Sequence, residues 1–136
     1  VELAKLIYKA TDTFPVTEAE KILHHLRHKR LFGLMQKIAD ALIQTGGDSF
    51  RIRRQYAQSL IDTENYTAAL AILNQLMEDT KNAGTDKNAE KEYRESQGLI
   101  GRIYKQLYIN AGATAKPYSV EHLKKSIEAY YQVYCV

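Results

Sequence analysis

A chain of 136 residues, 45% hydrophobic and 26% charged, has the length of one domain and the balance of a globular protein with a core of its own. Its net charge of +3 falls well short of the basic excess of a dedicated nucleic-acid domain. No apolar run approaches the roughly 18 to 20 residues of a membrane span, and the opening VELAKLIYKA carries its charges inside the apolar pattern, unlike a signal peptide.

The single cysteine, Cys135, cannot form an internal disulfide, which makes a reducing cytoplasm the expected compartment. The chain begins at Val1 rather than methionine and stops on Cys135 and Val136 directly after helix-like sequence, so it reads as a piece of a longer protein.

Every strong pattern has helical period, and strand signals are absent. A leading helix within 1–14 places Leu3, Leu6, Ile7 and Ala10 on one side. After Pro15, Thr17 and Glu20 have the T-x-x-E spacing of a capping box, which predicts a second helix from there to about Arg27. A third, over 31–45, stops at Gly46 and Gly47, and the fourth and fifth cover 50–62 and 66–81. The polar NAGTDKN follows with Gly84 as pivot, then a sixth helix over 89–109. NAGATAKPYS, 110–119, reads as a loop that Ser119 ends by capping a seventh helix over 120–134.

These helices repeat. Leu31, Leu34, Ile38 and Ala41 stand thirty-five positions before Tyr66, Ala69, Leu73 and Leu76, close to the tetratricopeptide period of 34. Here the chain resembles the tetratricopeptide repeat family. NYTAALAIL is similar to the second helix of such a repeat, with Tyr66 as opening aromatic and Ala69 as the small residue at the crossing. RRQYAQSL supplies Tyr56, Ala57 and Leu60 for a first helix; GLIGRIYK repeats this with Ile100, Gly101 and Tyr104, and LKKSIEAYYQVY answers with Ser126, Tyr130 and Val133. The resemblance implies an all-α solenoid of about three helix pairs, 17–46, 50–82 and 88–134, preceded by one short helix.

The third pair departs from the pattern by roughly ten extra residues between its helices, 110–119. This long form, GRIYKQLYINAG then LKKSIEAYYQVY, is similar to the repeat region of the TRAF-binding segment in stress-activated mitogen-activated protein kinase kinase kinases. It also resembles repeat regions of bacterial multidomain signalling and peptidase proteins. Both imply a regulatory scaffold beside a separate catalytic domain, with no catalysis in this segment.

The most conspicuous polar stretch is HHLRHKR, 24–30. On a helix, Ile22, Leu23 and Leu26 form its buried stripe, and His24 and His28 fall on the far side. Glu20, His24 and His28 make an i, i+4, i+8 ladder of metal-ligating types. That ladder spans about 12 Å of helix axis, too long for one metal with bonds near 2 Å to take all three. The expected reading is a metal-free, solvated face whose cations sit at the helix C-terminus, where the dipole favours them. A nucleic-acid role through Arg27, Lys29 and Arg30 is the alternative, without exposed aromatics nearby for base stacking. Tyr56, Tyr104 and Tyr130 fall on apolar stripes and are expected in the core.

Nothing calls for a nucleophile or a cofactor. Cys135 has only His122 nearby in sequence, thirteen residues along the same helix and beyond hydrogen-bond reach. Gly98 and Gly101 lie inside a helix, where close helix packing is their expected use.

Arg51, Arg54 and Gln58 form a polar stripe opposite Ile52, Tyr56 and Leu60; Arg102 and Lys105 lie opposite Leu99, Ile103 and Leu107. In tetratricopeptide arrays the first helices line the concave surface, so the resemblance implies that both stripes face one groove. Four cations there suit an acidic or polar polypeptide, or another domain of the same chain, with Glu95 and Asp62 partly neutralising the patch. The carboxylate clamp of chaperone-binding repeats is not reproduced, since Glu95 and Leu99 stand at its positions. The expectation is a non-catalytic protein-interaction or regulatory scaffold segment of a larger intracellular, bacterial protein. A regulatory part of a multidomain peptidase, acting intramolecularly, is the remaining alternative. Tyr130, Val133 and Tyr134 also put apolar surface on the last helix, which predicts self-association or lower stability than a longer chain.

Overall fold

The computed structural model describes residues 15–112 and 117–134, and among these it holds six helices and no strand. They are α1 (Val16–His28), α2 (Phe32–Gln44), α3 (Phe50–Asp62), α4 (Tyr66–Asn82), α5 (Lys87–Asn110) and α6 (Pro117–Tyr134). The all-α helical-repeat reading is correct, with 84% of the described residues in helices against the two thirds expected from seven segments with short loops. The leading helix and Cys135 lie outside the described residues. No helix among the described residues is long and apolar enough to cross a membrane.

The chain divides into two compact units between Ile72 and Leu73, within α4. In the first, α1, α2 and α3 pack on one another in all three pairings. Their apolar stripes meet in a core of Ala19, Leu23, Leu26, Met35, Ile38, Ala39, Ala41, Leu42 and Ile52, with Ile22, Leu34 and Tyr56 partly buried against it. Each fully buried Leu or Ile there contributes about 1.5 to 3 kcal/mol relative to exposure. Gln36 ties α2 to α3, its Nε2 donating to the Ser59 carbonyl at 3.2 Å and to Thr63 Oγ1 at 3.0 Å. Tyr56 sits at the edge of the core rather than inside it; burial, then the charge of Asp40, raises its pKa above the ordinary value of 10.0. Leu31, which the repeat places on the apolar stripe, is 50% exposed because it precedes the first turn of α2.

Two local readings are corrected. The box of Thr17 and Glu20 does not form: α1 starts one residue before Thr17, behind Pro15, with no side-chain cap. Glu20 is turned instead to Ser49, whose Oγ donates to its Oε2 at 2.7 Å, and Ser49 caps α3 by accepting from Ile52 N–H at 3.1 Å. A tertiary partner outcompetes the local one. Likewise Ser119 is no cap, because α6 begins at Pro117 and Ser119 is buried within its first turn. A proline at the first helical position loses nothing by lacking an N–H.

The ends of α1, α2 and α3 share one device, in which the second residue past the helix takes positive φ. These are Arg30 (60°), Gly46 (76°) and Glu64 (64°). Around each, two backbone hydrogen bonds close a Schellman motif, as from Arg30 N–H to Arg27 O and Leu31 N–H to Leu26 O. Arg30 and Glu64 stand one tetratricopeptide period apart, so the repeat is written in the backbone as well as in the side chains. A side chain in the left-handed region costs about 1 to 2 kcal/mol, partly offset by glycine's greater freedom in the unfolded chain. Glu64→Gly is therefore expected to raise stability by about 0.5 to 1 kcal/mol in urea unfolding. Arg30→Gly should gain less, since the Arg30 guanidinium lies 5.3 Å from the Phe32 ring centroid.

In the second unit α5 and α6 pack along each other. Gly101 makes the close crossing: a Cβ there would lie 3.2 Å from Ala129 Cβ and from two ring carbons of Tyr130. Ser126 Oγ donates to the Gly101 carbonyl at 2.9 Å, so the small residues aligned by the repeat meet across this pair. Gly98 differs, with nothing within 4 Å of its Cβ position, and close packing is not its use. The Tyr104 and His122 rings stack at 5.9 Å, both residues half-buried. The ten-residue loop expected over 110–119 is corrected at both ends, since α5 runs through Asn110 and α6 begins at Pro117. Much of the remainder is helix, since α5 has 24 residues against 13 in α3, opened by Asp86 accepting from Asn88 N–H at 2.8 Å.

Candidate functional site

The solvent-facing side of α3 carries Arg51, Arg54 and Gln58, spaced to share one stripe, and all three are half-buried. Together with Gln55 from the same helix, His24 and Arg27 from α1 and Met35 from α2, they line a pocket of about 240 Å³ in the first unit. The predicted stripe of α3 is thus one wall of a real concavity, and α1 supplies another.

Two carboxylates organise its cations. Glu20 Oε1 lies 3.8 Å from a terminal nitrogen of Arg51, while its Oε2 holds Ser49. Asp62 Oδ2 accepts from Arg27 Nε at 3.2 Å, joining the end of α3 to the end of α1. Asp62 therefore answers Arg27 directly, and Arg27 does not stand with Lys29 and Arg30 as an open phosphate handle. His24, His25 and His28 are exposed, as the helix wheel requires. With Glu20 directed at Ser49 and Arg51, the histidine ladder lacks its carboxylate. Among the described residues no group of three or more His, Cys, Asp or Glu could hold a metal.

Gln55, which the apolar pattern did not single out, is the most constrained polar group of the pocket. It is 3% exposed, and its Nε2 donates to the Glu20 carbonyl at 3.0 Å. That bond sets the amide, since the flipped rotamer would place oxygen against oxygen. The remaining Oε1 is buried and accepts no hydrogen bond from the protein. A buried acceptor left so costs about 1 to 3 kcal/mol. The pocket wall thus offers guanidinium and amide N–H donors, while the Gln55 amide oxygen lies buried behind it. The signal for this residue was the repeat offset: Glu20 with Gln55 and Arg27 with Asp62 are each thirty-five positions apart, equivalent places on successive first helices.

Arg102 and Lys105 lie on α5, in the second unit, and both are exposed. Arg102 lines a cleft of about 430 Å³ with Arg94, Glu95, Gly98, Leu99, Tyr130 and Val133, and Lys105 lies outside that lining. Glu95, expected as a neutralising charge, sits beside Arg102 there. Tyr130 is half-buried, as is Tyr104, so these aromatics border the helix pair instead of filling its centre.

The model of the family described as Tetratricopeptide Repeats-Sensor matches residues 27–136, which take in the whole of α2 to α6. No curated protein and no solved structure matches the chain.

Proposed function

We propose, for a chain that belongs to the Tetratricopeptide Repeats-Sensor family, a non-catalytic role in which the first unit binds an acidic or polar polypeptide segment in the α1/α3 pocket. The concavity lined by Arg51, Arg54 and Gln58 carries the reading. A polypeptide presents a carbonyl acceptor at every residue, and the pocket wall meets these with the N–H donors of Arg51, Arg54 and Gln58. Carboxylates on the segment would add charge-assisted hydrogen bonds to Arg51 and Arg54, and the stem of Met35 gives the floor an apolar part. The setting that fits is a regulatory segment of a larger cytoplasmic protein, where the bound segment comes from a partner or from another domain of the same chain.

Selection from a random peptide library displayed on phage tests this. Enrichment of Asp and Glu flanking a short extended stretch, at moderate salt, is the expected outcome. Recovery of only basic or purely apolar peptides would contradict it.

A further inference from the structure

The α1/α3 pocket concentrates more donors than one carboxylate can use. Arg27 from α1 and Arg51, Arg54 and Gln58 from α3 line a single concavity of about 240 Å³, and among the described residues no carboxylate belongs to that lining. Glu20 and Asp62 stand behind it. The bond to Asp62 that keeps Arg27 from Lys29 and Arg30 takes only its Nε, at 3.2 Å. Glu20 lies 3.8 Å from one terminal nitrogen of Arg51, beyond hydrogen-bond distance, because its other oxygen is held by Ser49. The two carboxylates therefore steady the guanidiniums without consuming their forks, and three cations against two anions keep the site positive.

The placement of these donors selects among anions. A carboxylate is planar, and one arginine fork occupies both of its oxygens. Here the donors come from two helices, Arg27 on one wall and Arg51 and Arg54, a turn apart, on the other. A phosphoryl group spreads three acceptor oxygens tetrahedrally and carries close to two negative charges at neutral pH, so it can take forks from both walls at once. Size points to the carrier. At about 240 Å³ the pocket is smaller than the roughly 300 to 1,000 Å³ of sites that enclose a whole small-molecule ligand. It suits a head group whose remainder lies outside, as the backbone of a modified side chain does.

We infer that the segment held by this pocket is phosphorylated, with a phosphoserine or phosphothreonine set between Arg27 and the Arg51/Arg54 edge. The inference rests on the reading of the pocket as a polypeptide site, and it narrows the ligand from acidic to phosphorylated.

The test uses the full chain and the acidic peptide recovered by the library selection, in which each Asp or Glu is replaced in turn by phosphoserine. Fluorescence anisotropy should show one position at which the phosphopeptide binds at least about tenfold tighter than its parent, with little gain elsewhere. Arg51→Lys keeps the charge and loses the fork, so it should weaken that phosphopeptide about tenfold and the parent peptide less than about threefold. Both should still need Arg54. No gain at any position overturns the inference and leaves the acidic-segment reading standing, whereas a selection that yields no acidic peptide overturns that reading first. An equal gain at every position would be diffuse electrostatics and contradicts the inference, as does an equal loss for both peptides in Arg51→Lys. Free phosphoserine binding as tightly as the phosphopeptide would assign the pocket to a small phosphate ester and overturn it too.

Discussion

Gly101→Leu is expected to lower the stability of the α5/α6 pair by about 3 kcal/mol, the upper end of the usual cost of overpacking. Even the first added carbon would stand 3.2 Å from Ala129 Cβ and from two Tyr130 ring carbons, and the remaining three atoms have no space between the helices. The gain in helix propensity on leaving glycine, about 1 kcal/mol, does not offset this. Separating the helices would also break the 2.9 Å hydrogen bond from Ser126 to the Gly101 carbonyl. Gly98→Ala in the same helix is the matched comparison. With nothing near its Cβ position it should keep the propensity gain and raise stability by about 1 kcal/mol. Urea unfolding followed by circular dichroism reads both. Equal effects of the two substitutions would mean that Gly101 is not the crossing point.

How far such features could be read without coordinates depends on the range of the interaction that sets them. The span of α3, Phe50–Asp62, follows from its apolar period and its polar flanks, and the stripe of Arg51, Arg54 and Gln58 follows from the same period. The small residues Ala57, Ala69 and Gly101 were legible through their repetition, and each is fully buried. The box at Thr17 and Glu20 was misleading because a motif of four residues carries no information about Ser49, which takes the Glu20 carboxylate from twenty-nine positions away. Ser119 misled for a different reason: Pro117 and Ser119 are both start signals, and only the geometry of the turn decides between them. Gln55 was hidden on the buried side of α3, where a polar residue makes sense only once its backbone partner on α1 is known. The aromatic stripes of Tyr104 and Tyr130 were placed on the correct faces but too deep, since a tyrosine at a helix border keeps its ring partly in water.

The central claim is that the α1/α3 pocket holds an acidic polypeptide through Arg54 and its neighbours, and a charge reversal reads it most directly. The ligand is a fluorescent acidic peptide recovered by the library selection, titrated at fixed salt against the wild-type chain, Arg54→Glu and Lys29→Glu. Arg54 lines the pocket and is half-buried; Lys29, at the end of α1, is exposed and outside it. Both substitutions change the charge equally, so diffuse attraction predicts equal losses. A contact desolvated in the pocket predicts a loss of about 2 to 5 kcal/mol for Arg54→Glu, roughly thirtyfold or more in Kd, and a much smaller one for the rim residue. Both variants should keep the helical spectrum of the parent, because neither side chain belongs to the core. A loss confined to Arg54→Glu is the predicted result. Equal weakening by the two variants, or no weakening by Arg54→Glu, would contradict the assignment of the pocket.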